Sequence, residues 1–98
     1  GKIDWNLTAE KILAKINGLY PFPGAWFTYK GERYKILKAE ISSVSGKQGL
    51  ILSDNFEIGC SSKSIKVLQI QREGKKVQSI KEFSLGTQLK KGSDLTNV

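Results

Sequence analysis

Two prolines set one residue apart, in Tyr20-Pro21-Phe22-Pro23-Gly24, constrain this chain more than any other feature. Each proline fixes its own φ, lacks a backbone N–H, and pushes the preceding residue into extended conformation, so neither a helix nor a central strand can run through the block. Whatever precedes it must stop there. The preceding stretch is apolar at Ala9, Ile12, Leu13 and Ile16, the three-and-four spacing of an amphipathic helix, with Lys11 and Lys15 on the opposite face. Asp4 or Asn6 suits its N-cap, Asn17-Gly18 suits a left-handed C-terminal cap, and Pro23-Gly24 reads as a type II turn.

Beyond the turn the period changes from helical to alternating. Trp26-Phe27-Thr28-Tyr29 reads as a strand, and Lys30-Gly31-Glu32 as a tight reversal into a longer one, which makes a hairpin. In the longer strand Tyr34 and Ile36 share one face, after which Leu37, Ala39 and Ile41 take over at the other parity. Two adjacent residues cannot both point inward in a regular strand, so a bulge or bend is expected at Ile36-Leu37, as small closing sheets require. Ile65 and Val67 hand over to Leu68 and Ile70 in the same way. Leu50-Ile51-Leu52 and Phe56-Glu57-Ile58-Gly59-Cys60 read as short strands either side of a turn at Ser53-Asp54-Asn55. Ser79-Ile80-Lys81-Glu82 has capping-box spacing, with Phe83 and Leu85 as apolar contacts and Gly86 as terminator, which predicts a short second helix. The polar tail from Lys90 onward is expected to fray at its end.

The chain of 98 residues reads as one domain, without room for a separate catalytic module. With no histidine and a single cysteine, Cys/His metal sites and Ser-His or Cys-His nucleophile pairs cannot be built from it. Cys60, in phase with Phe56 and Ile58, reads as a core residue, and a lone cysteine fits a reducing compartment. Gly46-Lys47-Gln48-Gly49 lacks the spacing and ending of a phosphate loop and reads as a turn. The nine carboxylates are scattered among lysines, and none has an apolar context that would obviously raise its pKa. No catalytic, cofactor-binding or metal-binding residue is therefore assigned. No run is long enough to span a membrane, so the chain reads as soluble and cytoplasmic.

Sixteen Lys and Arg against nine Asp and Glu leave a formal charge of +7, which favours a polyanionic partner without identifying it. Lys30, Arg33, Lys35 and Lys38 project from the hairpin, Arg72, Lys75 and Lys76 crowd the later Gly74 turn, and Lys66 lies on the strand between. As a set they are candidates for phosphate contact; individually, each also fits a solvated edge residue that discourages strand aggregation. Trp26, Phe27, Tyr29 and Tyr20 are aromatic enough to stack unpaired bases, although their place beside the proline turn favours core or helix-to-barrel packing.

Several segments together resemble the C-terminal domain of methionyl-tRNA formyltransferase. They are Ile3-Asp4-Trp5, the block from Ile16 through the two prolines to Trp26, Gly31-Glu32-Arg33-Tyr34-Lys35-Ile36-Leu37-Lys38-Ala39-Glu40, Leu68-Gln69-Ile70-Gln71-Arg72-Glu73-Gly74-Lys75-Lys76 and Glu82-Phe83-Ser84-Leu85-Gly86. The match covers nearly the whole chain in order; Phe22 stands where that family often has tryptophan, and residues 42–49 carry no family pattern. Pattern alone leaves a small sandwich, an SH3-like barrel and an oligonucleotide-binding barrel open. The resemblance implies the last: a mainly β, partly closed barrel of five to six strands with an N-terminal helix and a short C-terminal one.

The resemblance also implies a function. The chain, which has no methionine and begins at Gly1, is expected to be a fragment of a longer enzyme. It would lack the N-terminal Rossmann-like domain that binds 10-formyltetrahydrofolate and transfers the formyl group. Residues 1–98 would then be a non-catalytic docking domain, holding initiator Met-tRNA by phosphate contacts for translation initiation. Two rivals stay open: a structural appendage of a sugar-nucleotide formyltransferase, and a free-standing single-strand-binding module.

Overall fold

The computed structural model describes residues 1–96. Helix α1 (Ala9–Leu19) leads into strands β1 (Ala25–Tyr29) and β2 (Glu32–Ser42); β3 (Glu57–Gly59), β4 (Ser64–Arg72), β5 (Val77–Ser79) and helix α2 (Ile80–Ser84) follow. The five strands form one antiparallel sheet in the order β1-β2-β4-β3, with β5 also on β4, and it curls into a half-barrel compatible with the oligonucleotide-binding type. Among the described residues no helix is long and apolar enough to cross a membrane.

The cap of α1 differs from the sequence expectation at both ends. Thr8, not Asp4 or Asn6, is the N-cap, its hydroxyl accepting from the Lys11 N–H at 3.2 Å, while Asp4 closes a tighter turn on Asn6. At the far end the helix runs straight through Asn17-Gly18 to Leu19 and is stopped by extended Tyr20, ψ 140°, the residue before a proline. Both Tyr20-Pro21 and Phe22-Pro23 peptide bonds are cis. Gly24 has the positive φ, +85°, of the expected turn, but the hydrogen bond runs from its N–H to the Leu19 carbonyl at 2.9 Å, enclosing the whole aromatic-proline block.

The hairpin forms as expected. Lys30 and Gly31 carry φ of 48° and 80° between the paired Tyr29 and Glu32, the conformation of a two-residue primed turn whose twist suits the flanking strands. The phase change also forms, as two neighbouring bulges: Ile36 pairs with Ile70, Lys38 with Gln69 and Ala39 with Val67, so Leu37 and Leu68 are the extra residues. This bend divides the far edge of β4 between β3, at residues 64–66, and β5, at residues 69–71. Beyond the bulge Ile41 is not a core residue; it is exposed.

Residues 50–52 are not a strand. They make single bridges to Asp94 and Ile58, because the chain there is wedged between β3 and the folded-back tail. The tail is accordingly not frayed over its described length. The Ile51 N–H donates to the Ser93 carbonyl, the Leu95 N–H to the Gly49 carbonyl, and Leu89 and Leu95 are buried. Asn97 and Val98, where fraying was expected, lie outside the described residues.

The core joins Ile12 and Ile16 of α1 to Phe27, Ile36, Ile58, Ile65, Val67 and Ile70 of the sheet. An aromatic ladder crosses it: Trp5 edge-on to Phe27, Phe27 stacked on Tyr34 at 5.3 Å, and Phe83 edge-on to both Tyr34 and Phe56. The capping box of α2 is present, and Phe83 is its buried anchor; Leu85, expected to pack, is 87% exposed because the helix has already turned it away.

Candidate nucleic-acid interface

Alternation along the hairpin sorts its side chains onto two faces. Ala25, Phe27, Tyr34 and Ile36 point into the core, which leaves Trp26, Thr28, Arg33 and Lys35 on the outer face, paired Trp26 to Lys35 and Thr28 to Arg33. There the Arg33 guanidinium lies 3.7 Å from the Trp26 ring centre, and Lys35 Nζ sits 5.6 Å from that of Phe22. The Lys35 stem crosses Gly24, where any side chain would collide with its methylenes. Lys2 borders this face through its bridge to Trp26. Lys38 is exposed farther along β2, beyond the bulge.

A second group of candidates surrounds a groove of about 670 Å³ between the hairpin tip, the Gly74 turn and α2. Lys30, Arg72, Lys75 and Lys76 line it together with Glu32 and Tyr34. Its cations are not equivalent. Arg72 is ion-paired to Glu32, which also accepts from the Tyr34 hydroxyl at 2.9 Å. The Arg72 hydrogen bond, then that of Tyr34, hold the Glu32 carboxyl below its ordinary range. Burial first, and the Glu32 bond second, push the Tyr34 hydroxyl up to about 12. Lys30 leans over Tyr29, its Nζ 5.5 Å from the ring centre.

Lys66 stands apart from both groups, opposite Glu40 on one side and Glu57 on the other. Glu57 is a feature the sequence does not single out among the scattered carboxylates. It is buried, and it accepts from Ser53 Oγ at 2.6 Å and from Ser42 Oγ. Its carboxyl is held below the ordinary range by the Ser42 bond, then the Ser53 bond, with Lys66 adding attraction. Strand parity gives no signal of that burial, since Glu57 alternates with the inward Phe56, Ile58 and Cys60. Cys60 lies in the core, where burial pushes its thiol up to about 11, far from a nucleophile's range. Among the described residues no group of three potential metal ligands comes together.

The aromatic side chains also sort differently from expectation. Phe27 is core and Tyr29 packs against it, but Tyr20, expected to bridge helix and barrel, is 56% exposed, and Phe22 is 83% exposed. Of the three ion pairs among the described residues, Lys47–Asp94, Lys63–Glu10 and Arg72–Glu32, none involves Lys2, Arg33 or Lys35. The outer face therefore combines cations without carboxylate partners, a half-buried ring, Trp26, and one in solvent, Phe22.

Residues 1–88 match the formyl transferase C-terminal domain. The chain is 59% identical over its whole length to methionyl-tRNA formyltransferase of Pelagibacter ubique, covering 32% of that protein. It is 39% identical to the enzyme of that name from Bradyrhizobium diazoefficiens and 41% identical to that from Rickettsia massiliae, in each case over 97% of this chain and 32% of the relative. The chain thus spans about a third of the length of these curated relatives. A mainly β half-barrel with this helix order, and a match across its first 88 residues, make the chain a member of the formyl transferase C-terminal domain family.

Proposed function

We propose that this chain is the non-catalytic tRNA-docking domain of a methionyl-tRNA formyltransferase. It lies against the phosphate backbone of initiator Met-tRNA and holds it in register for a Rossmann-like catalytic domain elsewhere in the parent chain. That domain would supply the formyl transfer from 10-formyltetrahydrofolate, a substrate of the parent enzyme. The observation that carries this reading is the outer face of the hairpin, where Arg33 and Lys35 have no carboxylate within ion-pair distance among the described residues. Phosphate contacts position a nucleic acid without reading its sequence, which suits a domain whose task is placement. The names of the relatives favour this over a sugar-nucleotide enzyme, and membership in a formyl transferase family favours it over a free-standing single-strand binder.

The test is binding of the 98-residue chain to initiator tRNA, elongator tRNA and a single-stranded oligonucleotide across a salt series, beside a variant with Arg33, Lys35 and Lys38 changed to alanine. Salt-sensitive binding of both tRNAs that weakens in the variant is expected. Each phosphate that the variant no longer neutralises lowers the slope of log affinity against log salt by roughly 0.7 to 0.9. Absence of binding even at low salt would refute a docking role and favour a structural appendage.

A further inference from the structure

We infer that loop 20–24 is a stacking platform for an unpaired RNA base, with Phe22 as its ring and Lys35 and Arg33 on the adjoining phosphates. The inference rests on the tRNA-docking reading and adds to it a contact that is not electrostatic. Phe22 is 83% exposed and Tyr20 56%, yet neither is on a loose segment. Pro21 and Pro23 fix the backbone on either side of Phe22, and the loop is closed by the Gly24 N–H to Leu19 carbonyl hydrogen bond at 2.9 Å. The backbone that carries the ring is thus fixed, and less conformational freedom remains to be given up when something covers it than on a loose loop.

What covers it is indicated by its neighbours. Lys35 Nζ occupies one side of the ring at 5.6 Å, and the exposure of Phe22 leaves the opposite side to solvent. Arg33 lies against Trp26, and neither cation has a carboxylate partner among the described residues. A partner that complements this face must offer negative charge beside a flat apolar surface. An apolar protein patch supplies only the second, and burying Lys35 and Arg33 against it would strip their water without compensation. A nucleotide supplies both, through its phosphate and the face of its base, and every base has such a face.

The experiment titrates labelled initiator tRNA and an unstructured oligonucleotide with the wild-type chain and with Phe22→Ala, Phe22→Leu and Phe22→Trp at several salt concentrations. Because Phe22 is a surface residue, all three variants should melt with the wild type. Phe22→Ala should weaken RNA binding roughly 5- to 150-fold, the range of one missing stack, with the salt slope unchanged. Phe22→Trp should keep the affinity, and its fluorescence should be quenched by bound RNA beyond any change from Trp5 and Trp26 in the wild type. Phe22→Leu should not restore binding. Wild-type affinity in Phe22→Ala would overturn the platform while leaving tRNA docking intact. Full affinity in Phe22→Leu would also overturn it, by assigning the contact to apolar burial. Failure of the wild type to bind either RNA at low salt would overturn the docking reading and the platform with it.

Discussion

Replacing Phe83 by alanine tests whether α2 is a working wall of the half-barrel or an ornament on its rim. Phe83 is the only buried residue of that helix, 5% exposed, and its ring lies edge-on to Tyr34 at 5.8 Å and to Phe56 at 5.9 Å. Truncating a buried phenylalanine costs about 3 to 5 kcal/mol, a range that already contains the aromatic packing removed with the ring. A domain of this size holds about 5 to 15 kcal/mol in total, so one ring accounts for a fifth of it at the very least. In a chain of about 60 to 100 residues each kcal/mol moves the melting temperature by about 4 to 8 °C. A fall of at least about 12 °C is therefore expected, measured by circular dichroism or calorimetry. Leu85→Ala is the control: at 87% exposure it should stay within about 0.5 kcal/mol of wild type. A Phe83→Ala melt within about 4 °C of wild type, or a Leu85→Ala cost of equal size, would refute the argument that Phe83 fastens α2 to the core.

Two further outcomes test smaller parts of the fold. Ser79→Ala removes one half of the capping box, in which Ser79 Oγ accepts from the Glu82 N–H at 3.2 Å, and should lower stability, read from the urea midpoint, by about 1 kcal/mol, with Ser79→Asp restoring most of it. Glu57, whose folded carboxyl lies below its ordinary range, should make stability fall with acid. The unfolded chain takes up the proton first, so the contribution is complete above the ordinary glutamate pKa and is lost as pH drops through the folded value. Urea midpoints measured from about pH 7 downward should show that loss in the wild type and a flatter acid limb in Glu57→Gln; identical acid limbs would sink the assignment.

The elements that could be read from the sequence are those whose signal is local. The hairpin at Lys30-Gly31, the parity change at Ile36-Leu37 and the capping box at Ser79 each depend on residues within a few positions of one another. What could not be read depends on partners distant in the chain. Leu50-Ile51-Leu52 has the composition of a strand, but its pairing is shared between Ile58 and the tail near Asp94, and neither side offers a ladder longer than a bridge. The tail is polar in sequence and pinned in space, because two buried leucines, Leu89 and Leu95, anchor it on either side of the exposed Lys90, Lys91 and Gly92. Leu85 and Phe83 are both strongly apolar, yet only the helix start fixed by Ser79 decides which of them faces the core. At the candidate interface the residue types and the strand parity of Arg33 and Lys35 are legible in the sequence. The exposure of Phe22 is not, since whether an aromatic ring stands in solvent is decided by what fails to pack against it.

The same distinction narrows the set of basic residues on which the proposed docking role can draw. A surplus of positive charge is a property of the whole chain, whereas phosphate binding needs cations whose own neighbours leave them unsatisfied. Arg72 is held by Glu32, which Tyr34 also engages, so recruiting it to a phosphate would break an interaction that ties the hairpin tip to β4. Lys66 is placed between two carboxylates in the cross-strand register. Arg33 and Lys35 have aromatic neighbours instead, and an aromatic face holds a cation in position without neutralising its charge. Those two residues, and Lys30 over Tyr29 at the hairpin tip, are oriented by the fold and stand outside the three ion pairs of the described residues, which is the combination a weak, salt-sensitive dock requires. The groove beside the Gly74 turn has already committed one of its cations, Arg72, to holding the domain together.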